Sequence, residues 1–520
     1  MSGRLWSIAG MSLGTLLSRL TGFVKWALMG AVLGFTPLAD AYNLAHILPN
    51  MIYELVLGGI LSAVFIPVVV EQLAGPDRDR AWRDISRMTN AALLVLGAVT
   101  LACWGMSRWL VDVQTIGIAP ERRQLVWFFF ILFVPQVFLY GLSALAGGVL
   151  NARGRFAAAA YAPVLNNLAV IAALAAYRWL PGFGKVGLGL GTTAGVLVQF
   201  LAQYPSLRRA GWRYHPGIDL RHPAVAKILR LSGPVLLYVI FNQINLTVQN
   251  NLAIRCPGGV SALQYAFAFY ILPHGLFAVS IGTVLLPELS GLAVRQHWEG
   301  FARAIERGIV WSGLVILPAL AVYTAFSFPI VQVLMQRGRI GAQDTRMLAT
   351  VLSCYSAGLF SFTLYLFLNR AFYSLQDTAT PLLLNVAGNA VNTVFNLALV
   401  GVLGVPGLAL GHATAYTVIA VMGLILLKRR VAAIDLRSVL RSLGRIATAA
   451  LVTAAVAWAA GIGWQWWLAA SASSAKVVAL AAALTALAGV YAAACALLGV
   501  PELSRLAAAL RQRAVRGGVR

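Results

Sequence analysis

Apolar runs of about twenty residues follow one another from residue 8 to residue 499, separated only by loop-sized polar gaps. Twenty helical residues cover roughly 30 Å, the thickness of a bilayer's hydrocarbon core. A backbone in that medium must satisfy its own N–H and C=O groups, and runs of this length do so as helices. The pattern therefore predicts an all-α polytopic membrane protein. With 60% hydrophobic and 11% charged residues, the composition lies outside the range of soluble domains. The first apolar run is too long for a signal h-region and carries charges inside it, so it reads as a mature helix.

Fourteen spans are expected, near 8–34, 41–70, 88–112, 124–150, 160–177, 184–206, 231–254, 261–289, 308–335, 347–369, 380–402, 405–427, 446–464 and 476–499. The net charge of +24 might suggest nucleic acid, but the basic residues sit mostly in the short loops. With the N-terminus inside, 28 Lys and Arg fall on the inner side, 10 on the outer side, and Arg19 and Lys25 within a span. That excess predicts both termini in the cytoplasm. The tail from Arg505 to Arg520 is basic; it reads either as a short amphipathic helix on the anionic inner leaflet or as a solvated tail.

The sequence repeats itself weakly. "ILPNMIYELVLGGILSAVFIP" from Ile47 resembles "ILPHGLFAVSIGTVLLP" from Ile271. At a constant offset of 218, Leu150 matches Leu368, Asn151 matches Asn369, Pro163 matches Pro381 and Asn167 matches Asn385. Six spans separate the copies, so they share one orientation. The expectation is two parallel six-helix lobes, 1–210 and 228–430, around a central cavity, with spans 13 and 14 (440–500) added and a tail from 501. Parallel lobes that rock about a cavity are a transporter architecture.

Polar residues recur inside the spans. Thr15, Ser18, Gly22 and Lys25 share one stripe of the first span, with Ser12 and Arg19 beside it. A charge this deep costs roughly 2.5–3.5 kcal/mol on insertion scales. It reads either as a cationic lining for an anionic substrate or as a buried ion pair with Glu54 or Asp40 that locks helices together. The second span carries Asp40, His46, Asn50 and Glu54. The seventh carries Asn242, Asn245, Gln249 and Asn250, with Arg255 at its outer end. Those amides read as a cavity wall or as interhelical glue. The eleventh carries Asn385, Asn389, Asn392 and Asn396 behind Asp377, an expected helix N-cap, and Pro381, an expected bend. Glu54 is expected to pair with Arg19 or Lys25 when no substrate is bound, or alternatively to couple transport to protons. The chain has no phosphate-binding Walker loop, no zinc spacing and no nucleophile elbow, and Cys103, Cys256, Cys354 and Cys495 form no metal or redox spacing. No enzyme activity, metal or cofactor is expected.

"SRLTGFVKWALMGAVLG", "LADAYNLAHILPN", "GGVLNARGRFAAAAYAPVLNN" and "NRAFYSLQDTATP" resemble signatures of the MurJ (MviN) family, within the multidrug/oligosaccharidyl-lipid/polysaccharide exporter superfamily. The resemblance covers essentially the whole chain. It implies a flippase for lipid-linked peptidoglycan precursor, with a cationic cavity for the diphosphate–sugar headgroup and a groove at spans 13 and 14 for the polyprenyl tail. The family's two basic positions on the first span fall on Arg19 and Lys25, and its second-span acid falls on Asp40. Asn50, Glu54, Asn242, Asn245, Gln249 and Arg255 complete the expected substrate-binding set; Asn151, Arg370, Asp377, Pro381, Asn385 and Asn389 are expected structural or gating positions. The implied partners are an undecaprenyl-diphosphate-linked disaccharide-peptide, membrane lipids and other cell-wall synthesis proteins. Coupling to membrane potential, protons or sodium is left open. The chain departs from the family where Tyr53 and Glu54 replace two basic residues and where Phe267 and Ala268 replace charged ones, and it lacks acids for a sodium site in the second lobe. Alternatives are an exporter of another polyprenol-linked oligosaccharide and, more distantly, a drug/cation antiporter, which needs cavity acids.

Overall fold

The computed structural model describes residues 2–54, 65–74, 77–217, 223–467 and 473–503. Every regular element among them is helical. In chain order they are α1 (Ser2–Leu33), α2 (Pro37–Tyr53), α3 (Ile66–Ala74), α4 (Arg78–Gly105), α5 (Ser107–Gln114), α6 (Pro120–Phe133), α7 (Pro135–Ala152), α8 (Phe156–Trp179), α9 (Gly184–Arg209) and α10 (Pro223–Ala253). There follow α11 (Gly259–Pro273), a π turn (His274–Ala278), α12 (Val279–Val294), α13 (Trp298–Ala325), α14 (Ser327–Met335), α15 (Ala342–Ser356), α16 (Leu359–Ser374), α17 (Ala379–Leu403), α18 (Val405–Arg430), α19 (Leu436–Trp467) and α20 (Ser473–Leu497). They form two compact units, Met1–Ser261 and Ala262–Arg520.

Local chemistry sets the helix boundaries. Gly34, at φ 68°, ends α1, and the Thr36 hydroxyl accepts from the Ala39 N–H at 3.2 Å to start α2, with Pro37 in the first turn. Asp77 starts α4 by accepting from the Arg80 N–H at 2.9 Å.

Among the described residues, ten helices are long and apolar enough to cross a membrane, and the α15–α16 pair, bent by 43°, makes an eleventh. These correspond to eleven of the fourteen expected spans. The other three are the second, seventh and eighth. Residues 55–64 of the second span lie outside the described residues, as do the side chains of the first half of the seventh. The eighth is broken into α11 and α12 by the π turn that follows Pro273. Proline removes a ladder donor and frees a carbonyl, and π turns absorb such defects. The basic tail also lies outside the described residues.

Within each unit the repeated segments do the same job. In the first, α8 packs along α9; in the second, α17 packs along α18. Both pairs rely on glycine for close approach. A Cβ at Gly195 would sit 2.6 Å from Asn166 Oδ1, and one at Gly407 would sit 2.6 Å from the Leu399 carbonyl oxygen. Such small-residue seams hold helices together in lipid, where no hydrophobic force separates helix from solvent. The second unit adds α19 against α13, with Ile446 and Ala449 packed on Val310 and Leu314. Tyr491 of α20 donates to the Leu314 carbonyl at 2.7 Å, and Trp464 donates to Gln332 at 2.8 Å.

Candidate functional site

The polar residues of α1 divide between two faces. Asn167 of α8 donates to the Ser18 carbonyl at 3.1 Å and to the Thr21 hydroxyl at 3.2 Å. Gly14 and Gly22 lie on this same seam, against Ala160 and Asn167 respectively. This half of the stripe is therefore interhelical glue. Leu13, Leu16, Leu20 and Val24 form a separate exposed apolar face suited to lipid. Arg19 is exposed and lies roughly 100° around the helix from Leu20, off the apolar face. Lys25 lies about 9 Å further along the axis and is half-buried, its Nζ 4.8 Å from the Trp26 ring centroid.

Neither cation has an acid within ion-pair distance among the described residues. This answers the alternative of a helix-locking pair. Asp40 is buried and otherwise engaged. Its Oδ2 accepts from the Gly258 N–H at 2.8 Å, and its Oδ1 accepts from the Ser261 N–H at 2.9 Å and the Ser261 hydroxyl at 2.8 Å. Asn43, one turn on, donates to the same hydroxyl at 3.0 Å. Gly258 is at φ 70°, and a Cβ there would press within 2.7 Å of Phe35 Cβ, so both backbone and space require glycine. Asp40 thus holds the start of α11 by its backbone. Glu54 is exposed; it accepts from Gln243 of α10 at 3.5 Å and from the neighbouring Asn50, also exposed. The expected pairing with Arg19 or Lys25 is replaced by these amide contacts.

On α10, Asn242 is half-buried, and Asn245, Gln249 and Asn250 are buried. Asn251, which the periodicity did not single out, does the structural work. Its amide donates to the Val113 carbonyl at 2.7 Å, and its oxygen accepts from the Ile116 N–H at 2.8 Å. Gln114 of α5 adds a bond to Thr247 at 2.8 Å. These bonds tie α10 to α5 within the first compact unit. Arg255 is exposed, its guanidinium against Gly117.

Asn151 is half-buried and lines a cavity of about 270 Å³ with Tyr53, Tyr140, Ser143, Gln199 and Gln203. Ser143 accepts there from Gln199 at 3.1 Å and from Gln203 at 2.7 Å. No sequence pattern flagged those two glutamines, because a single amide per turn is weak as a motif.

In the second unit, Arg370 is half-buried with its guanidinium over Gly282, filling the space a Cβ would need. Thr378 is the N-cap residue of α17, and Asp377, expected in that place, stands one position earlier and still serves the first turn. It accepts from the Ala379 and Thr380 N–H groups, each at 3.0 Å, and from the Thr380 hydroxyl at 2.6 Å, and it pairs with Arg430 at 3.1 Å. Burial alone would raise its carboxyl, but the Thr380 bonds, the Arg430 charge and the Ala379 N–H together hold it below the ordinary carboxylate value. Pro381 is the third residue of α17, where its missing N–H would have no intrahelical partner in any case. It therefore starts the helix and does not bend it. Asn389 donates to Asn385 at 3.1 Å one turn away. Phe267, Tyr270, Tyr355, Phe362 and Tyr416 surround half-buried His412, an aromatic box the sequence did not disclose. No group of three or more His, Cys, Asp and Glu among the described residues is placed to hold a metal ion.

This arrangement offers charge and amide donors inside a membrane. Residues 29–478 match the family model described as "Lipid II flippase MurJ". A protein of Vibrio cholerae named "Probable lipid II flippase MurJ" is 33% identical over 76% of this chain and 77% of its own length. A Rhizobium meliloti protein of the same name is 32% identical over 79% and 77%. Among solved structures, "Lipid II flippase MurJ, inward closed conformation" superposes with a TM-score of 0.75 at 21% identity, covering 94% of this chain and 98% of that one. An inward-facing multidrug resistance MATE transporter of the MOP superfamily superposes with a TM-score of 0.66 at 17% identity, covering 82% and 98%. The structures establish the fold, and the family model with the sequence relatives establishes kinship: the chain belongs to the MurJ lipid II flippase family.

Proposed function

We propose that this chain moves lipid II across the bacterial cytoplasmic membrane, carrying its diphosphate–sugar headgroup from the inner to the outer leaflet while the polyprenyl tail stays in lipid. The observation that carries this reading is Arg19: exposed, without an acidic partner among the described residues, deep in the first span and off its apolar face. An uncompensated cation at that depth is costly unless it meets an anion. A diphosphate is such an anion, and in a partly dehydrated cavity a guanidinium gives it short, charge-assisted hydrogen bonds. Lys25, Asn50 and the α10 amides supply further donors. No bond is made or broken, so the protein acts as a path and not as a catalyst.

Fourteen spans in two parallel lobes, with both termini cytoplasmic, complete the proposal. The eleven apolar spans, the repeat and the inner-side basic excess support it. The groove for the tail is assigned to α19 and α20. The π turn after Pro273 and Pro49 within α2 are the bending points for alternating access. Coupling to membrane potential, protons or sodium remains part of this proposal and not of the geometry. A cation antiporter with this fold would need cavity acids free to meet a cation, whereas Asp40 is taken up by the Gly258 and Ser261 donors and Glu54 by Gln243 and Asn50. The test is complementation. When a bacterium's own flippase is depleted, this chain should restore growth and the appearance of precursor in the outer leaflet. Rescue of neither, at normal expression, would point to a different lipid-linked oligosaccharide.

A further inference from the structure

Away from the α1 and α10 polar faces, a cavity of about 350 Å³ lies between α5 and the start of α6, lined by Arg108, Val111, Asp112, Pro120, Arg123, Gln124 and Trp127. Its size falls in the range of small-ligand sites. The two arginines are held in place before any ligand arrives. The Arg108 guanidinium lies over the Trp127 ring, 5.0 Å from its centroid, and Trp127 is fixed in turn by donating its indole N–H to the Ser107 hydroxyl at 3.2 Å. Arg123 is drawn to Asp112 at 3.3 Å, and its Nε is buried with no hydrogen-bond partner. Two cations against one carboxylate leave the pocket with an excess positive charge; the flanking Glu121 and Arg122 cancel one another.

The surroundings set the depth of this pocket. Ser107, Val111 and Gln114 form the buried face of α5, while Arg108, Trp109 and Asp112 face outward. Trp104 and Trp109 are 45% and 58% exposed. Exposed tryptophans at the end of a span mark the headgroup layer, where one side of the ring is apolar and the other wet. Here a phosphate-bearing headgroup could enter the arginine pocket while its acyl chains lie along the exposed tryptophans and Leu101.

We propose that this cleft binds the phosphodiester of an anionic phospholipid at the membrane interface. Arg108 and Arg123 donate to the phosphate, and Trp127 and Asp112 keep the two guanidiniums in position. Because α5 is bonded through Gln114 to Thr247 and stands beside the Asn251 bonds, the lipid would brace α5 against α10.

The test titrates the full-length protein in neutral detergent with short-chain phosphatidylglycerol, short-chain phosphatidylcholine or inorganic phosphate, reading the thermal unfolding midpoint. Phosphatidylglycerol should raise the midpoint saturably, and phosphatidylcholine and phosphate should not. In the Arg108→Gln/Arg123→Gln variant the apparent affinity for phosphatidylglycerol should fall at least about tenfold, the loss of roughly one charge-assisted bond. The charge-matched Arg178→Gln/Lys185→Gln variant should behave as the parent does. Should the double variant not fold, Arg108→Gln alone, at an exposed side chain, should show the same weakening in part. An unchanged phosphatidylglycerol curve in the pocket variant, an equal loss in the control variant, or full stabilisation by inorganic phosphate would overturn the proposal.

Discussion

Asp40 and Ser261 meet through two hydrogen bonds to one carboxylate oxygen, the Ser261 N–H at 2.9 Å and its hydroxyl at 2.8 Å. The other oxygen takes the Gly258 N–H at 2.8 Å. An acid inside a transporter of this family invites a role with substrate or ion, yet here its lone pairs are turned toward its own backbone. Asp40→Ala should therefore act on stability first. Leaving buried N–H groups without an acceptor costs about 1–3 kcal/mol each. The midpoint of thermal unfolding in detergent should fall clearly, and Asp40→Asn, which keeps one acceptor, should fall less. An Asp40→Ala protein as stable as the parent but inactive would return Asp40 to the substrate path.

Asp377 gives a pH signature. Its folded carboxyl titrates below the ordinary value of 3.8, because the Thr380 and Ala379 donors and Arg430 favour the charged form over the penalty of burial. A depressed value means the stabilisation is complete above the ordinary carboxylate range and is lost as the pH falls through the lower folded value. Asp377→Asn should flatten this acid-side loss and leave the neutral-pH midpoint modestly lower. Identical acid unfolding of variant and parent would remove Asp377 from the account.

The long uniform spans were legible in the sequence because lipid dictates their length and polarity together. Span eight was harder to read, since Pro273 and the π turn after it interrupt the ladder without changing the hydropathy. Polarity marked the residues that face another helix or a cavity but not which of the two. Asn167 and Asn251 are clips between helices; Arg19 is not. Their partners lie about 130 to 150 positions away in the chain, at separations that no periodicity encodes. The missing cation at Glu54 has a related reason. Depth along a helix says how far a group is from the membrane surface, not which side chains of a neighbouring helix it meets.

The proposed orientation rests on the 28-to-10 distribution of basic residues. In a chain whose four native cysteines are replaced, a cysteine at 77 or 215 should resist an impermeant thiol reagent in intact cells, and one at 183 or 341 should react. The reverse pattern would place both termini outside.

Glu54 accepts from Gln243 and Asn50 and has no cation beside it among the described residues. Glu54→Gln preserves the size of the side chain and removes the charge. If Glu54 shapes only a polar wall, transport by the variant should stay within about threefold of the parent, with the same response to a pH gradient. Loss of that response would make Glu54 the proton-coupling group. Flipping in vesicles with and without an imposed gradient separates the two outcomes.

The central claim is that Arg19 meets the diphosphate inside the membrane. The direct measurement is the rate of lipid II flipping by purified protein in vesicles, for the parent, Arg19→Lys and Arg19→Ala at matched insertion. Arg19→Ala should lose transport by at least about a hundredfold, the order expected for losing a charge-assisted, bidentate contact of roughly 3 kcal/mol. Arg19→Lys should retain part of it, because it keeps the charge and loses the planar fork. If Arg19→Ala flips lipid II at the parental rate, the cationic path proposed for this protein is wrong.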